Sequence, residues 1–438
     1  FETTAEYDKV GNLTKLIDDK NNSTIYEYDN LYRNTKEIFA DNTDKIYSYD
    51  GVGNMLSRQD NNDDITAYTY DPIYRLTGRD YPGTNDDIFA YDDGRRMISA
   101  TNNNATIAYT YDQANRIKSE TLNGEQTAYD YDIPNNIRTL TYPGGRMITE
   151  DYDLRSRLSN LADGAGNIAD FAYDTGNRMI NKNYGNGTTS QMDYNANNWL
   201  TRLTHNNGAD FADFEYDHDK VGNKKYEAHL HAPDRSEQYE YDDIYRLTRY
   251  KKGTLAADNI PMPSINTQYG MDALGNRITV TDLNGSTNYT TDEMNQYTQI
   301  NETSDISFDL QYDDNGNTLY DGNNPYTYDT ENRLLGTGNI TYSYDPFGRR
   351  IQKDIGGTLT RYYFDGARVL EEQDGSQNTT ATYVYGTWID DIITMQRGAM
   401  AYYYHHNALG SVIALTDANA NLTERYEYDA YGTPDFLD

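Results

Sequence analysis

The amino-acid sequence predicts an all-β protein in which tandem β-hairpins form one long antiparallel strip that coils into a hollow shell or superhelix. Three observations lead to this prediction: a Tyr-Asp pair recurs at a nearly constant interval, aromatic side chains two residues apart precede many of these pairs, and Gly, Asn and Asp fill the segments between them. The apolar runs are short and alternate at a period of two, which is the period of a strand and not of a helix.

The Tyr-Asp repeat extends over nearly the whole chain. The pairs begin at Tyr7, Tyr28, Tyr49, Tyr70 and Tyr91 in steps of 21 residues, and continue at Tyr111, Tyr131, Tyr152, Tyr173, Tyr216, Tyr241, Tyr312, Tyr328, Tyr344 and Tyr428, with Tyr194-Asn195 and a degenerate unit at Tyr269 completing the series. A constant period indicates one repeated architecture and not a string of unrelated domains.

Each unit has the length of a hairpin, because 21 residues hold two strands of about five to six residues and two turns. Tyr26 and Tyr28 are two positions apart and therefore share one face of a strand. Neighbouring hairpins must stack to be stable, so we expect ladders of tyrosines across strands, each pair contributing roughly 0.2 to 1 kcal/mol. These ladders would replace an aliphatic core, with the tyrosine hydroxyls reaching water.

The aspartate of each Tyr-Asp pair is interpreted as a turn residue and not as an acid catalyst. Asx side chains bond to the backbone two residues further on, and a catalytic group need not recur in every unit. An Arg or Asn follows five residues after the tyrosine and an apolar residue six after it, as in Arg75-Leu76. The phase is interrupted between Tyr250 and Ile265, where we expect a surface loop.

The composition excludes several classes of function. There are 70 acidic and 37 basic side chains, for a net charge of -33, and binding to double-helical nucleic acid requires Lys and Arg to neutralise phosphates. No run approaches the roughly 18 to 20 apolar residues of a membrane helix. The chain has no cysteine, which excludes disulfides, thiolate catalysis and Cys-type zinc sites.

The sequence predicts no catalytic, metal-binding or cofactor-binding residues. His405 and His406 are adjacent, so in a strand their side chains would point to opposite faces, which is poor geometry for one metal ion. His229 and His231 share a face but have no evident third ligand. Acidic pairs that lack the spacing of a calcium loop, and are therefore expected to be solvated turns, occur at Asp18-Asp19, Asp63-Asp64, Asp86-Asp87 and Asp242-Asp243.

Together, the Tyr-Asp units and several C-terminal motifs resemble the RHS/YD-repeat family. The motifs include YDPFGRR at 344–350, YFDG at 363–366, YVYG at 383–386, YHHNALGS at 404–411, LTD at 415–417 and YEYDAYG at 426–432. They resemble the entry into the RHS-associated core. We therefore expect a YD-repeat array over residues 1–340 and the first part of a core-like region over 341–438, within one continuous sheet.

The resemblance implies two functions between which the sequence does not choose. In the toxin branch of the family a hollow shell sequesters a C-terminal toxic segment, and in the teneurin branch the shell is a structural and adhesive ectodomain module. The first expectation is thus a non-enzymatic shell that encloses or presents a C-terminal cargo. The alternative is an extracellular fibre, stalk or cell-contact module that binds other surface or secretion-system proteins, glycans or copies of itself. Secretion or surface display follows from the resemblance alone.

One departure from the family pattern limits which functional residues can be assigned to this sequence. Family cores continue to an aspartyl self-cleavage segment, whereas this sequence ends at Asp438, so no catalytic residue transfers and no cofactor is expected. Phe1 is not an initiator methionine, and Tyr7-Asp8 is already in register. We therefore expect the sequence to be part of a longer polypeptide, and its partner to be the C-terminal segment of that polypeptide.

Overall fold

A computed structural model of the chain describes residues 2–83, 85–302 and 307–437. Phe1 and Asp438 lie outside the described residues. The described chain forms 43 β-strands and one 3-10 helical turn at Pro233–Arg235. In the described residues no helix is long and apolar enough to span a membrane.

The strands follow one another along the chain with short turns between them. They are β1 (Thr4–Tyr7), β2 (Leu13–Ile17), β3 (Ser23–Tyr28), β4 (Asn34–Ile38), β5 (Asp44–Tyr49), β6 (Met55–Gln59), β7 (Ile65–Tyr70), β8 (Leu76–Asp80), β9 (Asp87–Tyr91), β10 (Met97–Thr101), β11 (Thr106–Tyr111), β12 (Ile117–Leu122), β13 (Glu125–Asp132), β14 (Ile137–Thr141), β15 (Met147–Tyr152), β16 (Leu158–Asp163), β17 (Gly166–Tyr173), β18 (Met179–Tyr184), β19 (Thr189–Tyr194), β20 (Leu200–Asn206), β21 (Asp210–His218), β22 (Lys224–His229), β23 (Glu237–Tyr241), β24 (Leu247–Lys252), β25 (Ile265–Met271), β26 (Arg277–Thr281), β27 (Ser286–Thr291), β28 (Tyr297–Glu302), β29 (Ser307–Asp309), β30 (Gln311–Tyr312), β31 (Thr318–Tyr320), β32 (Tyr326–Tyr328), β33 (Leu334–Thr337), β34 (Ile340–Tyr344), β35 (Arg350–Ile355), β36 (Thr358–Asp365), β37 (Arg368–Asp374), β38 (Thr379–Tyr385), β39 (Ile392–Arg397), β40 (Met400–His406), β41 (Val412–Thr416), β42 (Leu422–Tyr428) and β43 (Pro434–Phe436).

Successive strands pair antiparallel, so the sheet grows by one hairpin after another. In β3 and β4, for example, Ile25 lies opposite Ile38 and Tyr26 opposite Glu37. In the described part of the chain the strands form sheets of 29 (β1–β29), 2 (β30–β31) and 12 strands (β32–β43). The predicted all-β strip of antiparallel hairpins is confirmed.

The chain divides into two compact units, each made of two segments that are distant in sequence. Unit 1 contains Phe1–Ala108 and Thr267–Gly357, and unit 2 contains Tyr109–Asn266 and Thr358–Asp438. This division reflects which segments pack together. The predicted boundary between residues 340 and 341 rests on sequence motifs and stays a prediction.

Unit 2 has an aliphatic core, which differs from the expectation that tyrosine ladders would replace one. Leu161 and Ile393 are fully buried, and Leu140, Ile148 and Leu370 are nearly so. These side chains come from both segments of the unit. Tyr129, Tyr142 and Tyr184 are buried in the same core, so aliphatic and tyrosine side chains pack together there. A buried hydroxyl needs a partner, and that of Tyr142 has the carbonyl oxygen of Tyr383.

Two details of the predicted repeat are wrong. β24 continues through Lys252, so the irregular segment begins at Gly253, and Tyr250 and Ile260 are 2% and 1% exposed and are not part of a surface loop. In the Tyr216 unit the turn begins two residues later than predicted, at Asp219, because β21 extends to His218.

Candidate functional site

A turn aspartate organises many of the hairpins. Oδ1 of Asp153 accepts hydrogen bonds from the backbone N–H groups of Arg155, at 2.8 Å, and of Arg157, at 3.0 Å. This pair of bonds is repeated at Asp8, Asp18, Asp29, Asp50, Asp60, Asp71, Asp112, Asp242, Asp292, Asp329, Asp345, Asp374, Asp417 and Asp429. The interpretation of the Tyr-Asp aspartates as turn residues is wrong at Asp217, which lies within β21. It is confirmed at Asp8, Asp29, Asp50, Asp71, Asp112, Asp153, Asp242, Asp329, Asp345 and Asp429.

The residue three positions after the turn aspartate has a positive φ. Gly53 has φ of 104° and Asn177 of 69°, and both residue types enter this region readily. Tyr74, with φ of 67°, occupies the same position at a cost of roughly 1 to 2 kcal/mol. The two bonds to the aspartate hold the turn closed in spite of that cost.

In many repeats an arginine connects the turn to the next repeat. Nε of Arg157 donates to Oδ2 of Asp153 at 2.8 Å, and its guanidinium carbon lies 4.4 Å from the ring centre of Tyr173. The Arg157 side chain holds the pKa of Asp153 at about 2, below its usual value of 3.8. We call the Asp–Arg–Tyr set, here Asp153, Arg157 and Tyr173, the repeat link. Other Arg–Tyr contacts of the same kind span 4.4 to 5.2 Å and join Arg33 to Tyr49, Arg75 to Tyr91, Arg116 to Tyr131, Arg178 to Tyr194 and Arg333 to Tyr344.

The tyrosine hydroxyl completes the repeat link by bonding back to the preceding repeat. The hydroxyl of Tyr173 donates to the carbonyl oxygen of Leu158 at 2.8 Å. Equivalent bonds are made by Tyr28, Tyr91, Tyr312, Tyr344, Tyr385 and Tyr428. The expectation that the tyrosine hydroxyls reach water does not hold for these residues, because each hydroxyl donates a hydrogen bond to a backbone carbonyl in the adjacent hairpin.

Where asparagine replaces the arginine, the link is shortened. Nδ2 of Asn54 donates to Oδ2 of Asp50 at 2.7 Å, which stabilises its own turn. The amide is too short to lie over the tyrosine of the next repeat. Arg and Asn at this position thus both bond to the turn aspartate, but only Arg is long enough to contact the tyrosine of the next repeat.

A buried ion pair joins the two segments of unit 2. Nζ of Lys182 lies 2.6 Å from Oδ1 of Asp391, and the two side chains are 5% and 0% exposed. The ammonium group also lies 4.5 Å from the ring centre of Trp388. The Tyr142 hydroxyl also connects the two segments, because it donates a hydrogen bond to the carbonyl oxygen of Tyr383 at 2.7 Å.

His405 and His406 are both buried in unit 2. A register shift falls between them, so they do not follow the simple alternation that predicted opposite faces. Nε2 of His405 lies 3.0 Å from Oγ1 of Thr416, and the ring centre lies 5.3 Å from that of His205. Burial lowers the pKa of His406 to about 4 and that of His405 well below its usual value. Both rings are therefore neutral near pH 7, as packed histidines are.

The acidic pairs do not behave alike. Asp18 and Asp242 form turns as predicted, with Oδ1 accepting backbone N–H groups. Asp87 does not, because it is 1% exposed, accepts a hydrogen bond from the Tyr81 hydroxyl at 2.9 Å and lies 3.3 Å from Arg79. Burial raises the pKa of Asp87. The expectation of a solvated turn is wrong for this residue.

His229 has carboxylate neighbours that sequence spacing did not reveal. Ligand atoms of Glu227, His229 and Glu237 all lie within 4.8 Å of one another. The ring of His231 stacks on that of His229 at 5.6 Å. The sequence showed no evident third ligand for His229 and His231, whereas the pairing of β23 with β22 places two carboxylates beside His229. The prediction that the chain has no metal site stays a prediction. The signal that could have found the cluster is the turn at Pro233, which fixes the pairing of Glu227 with Glu237.

This cluster borders a cavity of about 590 Å³ within unit 2. Its lining includes Arg235 and Tyr239 from the first segment and Glu427 and Tyr431 from the second. Oε1 of Glu427 accepts a hydrogen bond from Arg235 at 2.9 Å, so an ion pair crosses its wall.

Comparisons with known proteins agree with this geometry. The family described as teneurin YD-shell matches residues 214–434, which is half of the chain. The tRNA3(Ser)-specific nuclease WapA of Bacillus spizizenii is 33% identical over 180 residues, and the tRNA nuclease WapA of Bacillus subtilis shows the same identity over the same length. Each match takes in 38% of this chain and 8% of the relative, so the chain matches less than a tenth of the length of these curated relatives.

Solved structures share the fold over almost the whole chain. The crystal structure of TcdB2-TccC3 superposes with a TM-score of 0.81 at 14% identity, covering 99% of this chain and 27% of that one. The Tc holotoxin pore of Photorhabdus luminescens gives a TM-score of 0.72 at 14% identity, covering 99% and 26%.

The linked Tyr-Asp hairpins and the teneurin YD-shell match define the class of the protein, a structural β-shell of the RHS/YD-repeat type, and the superposition shows the shared fold. The chain belongs to the teneurin YD-shell family.

Proposed function

We propose that the chain is a non-enzymatic part of a shell that encloses a C-terminal segment of its own polypeptide. The observation that supports this most is the superposition on TcdB2-TccC3 over 99% of the chain. The TcdB2-TccC3 structure without its hypervariable C-terminal region also superposes, with a TM-score of 0.74. The shared fold therefore does not depend on that C-terminal region, as expected if the shell folds independently of the segment that it encloses.

The nature of the relatives favours a toxic cargo. The WapA relatives are named as tRNA nucleases, and the part that matches this chain is a small fraction of each. In this chain the recurring aspartates and arginines form the repeat links, so their regular occurrence has a structural cause. The net charge of -33 would attract a basic cargo such as an RNA-binding enzyme.

Limited proteolysis of the full polypeptide, as its source produces it, tests enclosure. We expect the C-terminal segment to be cleaved at least tenfold more slowly than the same segment expressed alone, because the shell separates it from the protease. Partial denaturation that opens the strip should remove the difference. Equal cleavage rates for the enclosed and the free segment under native conditions would refute enclosure.

A second candidate function is supported by the teneurin YD-shell match over residues 214–434. In this alternative the chain is a secreted or surface-displayed adhesive module that contacts other surface proteins, glycans or copies of itself. Saturable binding of the purified chain to cells or a glycan array, at micromolar concentration or below, is the expected result. A monomeric chain without such binding would leave enclosure as the better explanation.

A further inference from the structure

Three side chains that suit a metal ion converge on one face of a hairpin in unit 2. Glu227 and His229 are two residues apart on β22, so they point to the same side of the sheet. Glu237 on β23 lies directly opposite Glu227 in the strand register. Potential ligand atoms of all three lie within 4.8 Å of one another. The backbone pairing, and not a flexible loop, places the cluster.

The cluster has more negative than positive charge. Glu227 and Glu237 are 5% and 9% exposed, and like charges opposite each other on paired strands are destabilising. Lys224 provides one positive charge, with Nζ 2.6 Å from Oε2 of Glu227. A further cation beside Glu237 would relieve this repulsion.

His229 provides an independent indication of a ligand. It is 5% exposed, yet neither of its ring nitrogens makes a hydrogen bond to any described residue. Nε2 lies 3.3 Å from Oε1 of Glu227. A buried polar atom without a hydrogen bond is destabilising and calls for an explanation. Coordination through a ring nitrogen would satisfy it.

The groups around the cluster hold Glu237 and His229 in place. The hydroxyl of Tyr250 donates to Oε1 of Glu237 at 3.0 Å, and the hydroxyl of Tyr239 donates to Oε2 of the same carboxylate. The hydroxyl oxygen of Ser236 accepts a hydrogen bond from the His229 backbone N–H at 3.0 Å. Such surrounding bonds orient metal ligands in known sites, and each carboxylate oxygen keeps a lone pair for an ion.

We propose that Glu227, His229 and Glu237 bind one divalent transition-metal ion, of which Zn²⁺ is the probe to use. One imidazole and two carboxylates suit Zn²⁺ and its neighbours in the first transition row better than Ca²⁺ or Mg²⁺, which prefer oxygen ligands alone. The adjoining cavity can supply water as a fourth ligand. The ion would join β22 to β23 across the turn at Pro233. This inference does not depend on the proposed enclosure of cargo.

Titration of the chelator-treated full chain with Zn²⁺ in a calorimeter tests the site. We expect one ion per chain at micromolar affinity or tighter, and X-ray absorption showing one imidazole nitrogen among oxygen ligands. His229→Ala and Glu237→Gln should each weaken binding at least tenfold. Glu237→Gln keeps the size of the side chain and one oxygen that can accept a tyrosine hydroxyl, so the fold is expected to be retained.

Two matched substitutions control for general effects of losing a histidine or a carboxylate. His218→Ala and Glu215→Gln lie on β21, outside the cluster, and should bind Zn²⁺ as the unsubstituted chain does. Binding that is absent in the unsubstituted chain, or that is unchanged in both cluster variants, would overturn the proposal. Binding lost equally in the control and cluster variants would also overturn it.

Discussion

Replacing Lys182 by methionine should strongly destabilise unit 2. Lys182 and Asp391 form an ion pair at 2.6 Å between two segments that are distant in sequence, and both side chains are nearly or fully buried. Oδ2 of Asp391 also accepts the backbone N–H of Thr387 at 2.9 Å. Lys182→Met preserves most of the aliphatic stem but leaves the carboxylate buried without its counter-charge.

The expected loss is about 3 to 5 kcal/mol of unfolding free energy, the usual cost of removing one partner of a buried ion pair. Lys225 is the matched control, because its Nζ lies 2.6 Å from Asp217 but the two side chains are 40% and 42% exposed. An exposed pair contributes about 0 to 1 kcal/mol, so Lys225→Met should have little effect. The distances are equal, and burial accounts for the difference between the two variants.

Tryptophan fluorescence during urea unfolding measures this loss in the correct unit. The chain has two tryptophans, Trp199 and Trp388, and both lie in unit 2. Lys182→Met should unfold at a lower urea concentration, while the slope of the unfolding free energy against urea concentration stays unchanged. In Lys182→Met/Asp391→Asn, removal of the second charge should restore part of the lost stability. A Lys182→Met variant within 0.5 kcal/mol of Lys225→Met would refute the reasoning.

Three further substitutions test the repeat. Tyr173→Phe should lower the unfolding free energy by about 1 kcal/mol, because it removes the hydroxyl bond to the preceding hairpin. Tyr32→Phe is the control at a tyrosine that is 61% exposed, and it should change the urea midpoint little. Gly185→Ala should cost about 1 to 3 kcal/mol or more, because its Cβ would lie 2.0 Å from a backbone oxygen of β17. Gly164→Ala has open space around the new methyl group and is the neutral control in the same melting assay. Asp153 has a pKa of about 2 instead of 3.8, so its contribution to stability is complete above about pH 4 and is lost as the pH falls to 2. The difference in melting temperature between the chain and Asp153→Asn should therefore shrink over this range, and a constant difference would contradict the assigned bonds.

The repeat could be predicted from the sequence because its determinants are local. The turn aspartate bonds to backbone groups two and four residues away, so the pattern around Asp153 shows the turn directly. The repeat link was missed because it depends on how one hairpin lies on the next, and Arg157 meets Tyr173 across that interface. The phase at Tyr216 was wrong because a strand can lengthen by two residues without changing which face its side chains occupy.

Contacts between distant segments could not be predicted. Asp391 and Lys182 are 209 positions apart, and nothing in their local sequences indicates that they meet. The same holds for the aliphatic core of unit 2, which receives Leu161 and Ile393 from different segments. By contrast, the cluster at His229 lies within one hairpin, and its pairing could have been found by aligning Glu237 with Glu227 across the turn.

Cryo-electron microscopy of the full polypeptide tests most directly whether this strip encloses cargo. We predict density for polypeptide beyond residue 438 on the inner face of a closed or coiled strip, with no exit to solvent wide enough for a folded protease. Particles in which that polypeptide lies outside the strip, or in which the repeats stack end to end into fibres, would contradict enclosure and favour the adhesive alternative.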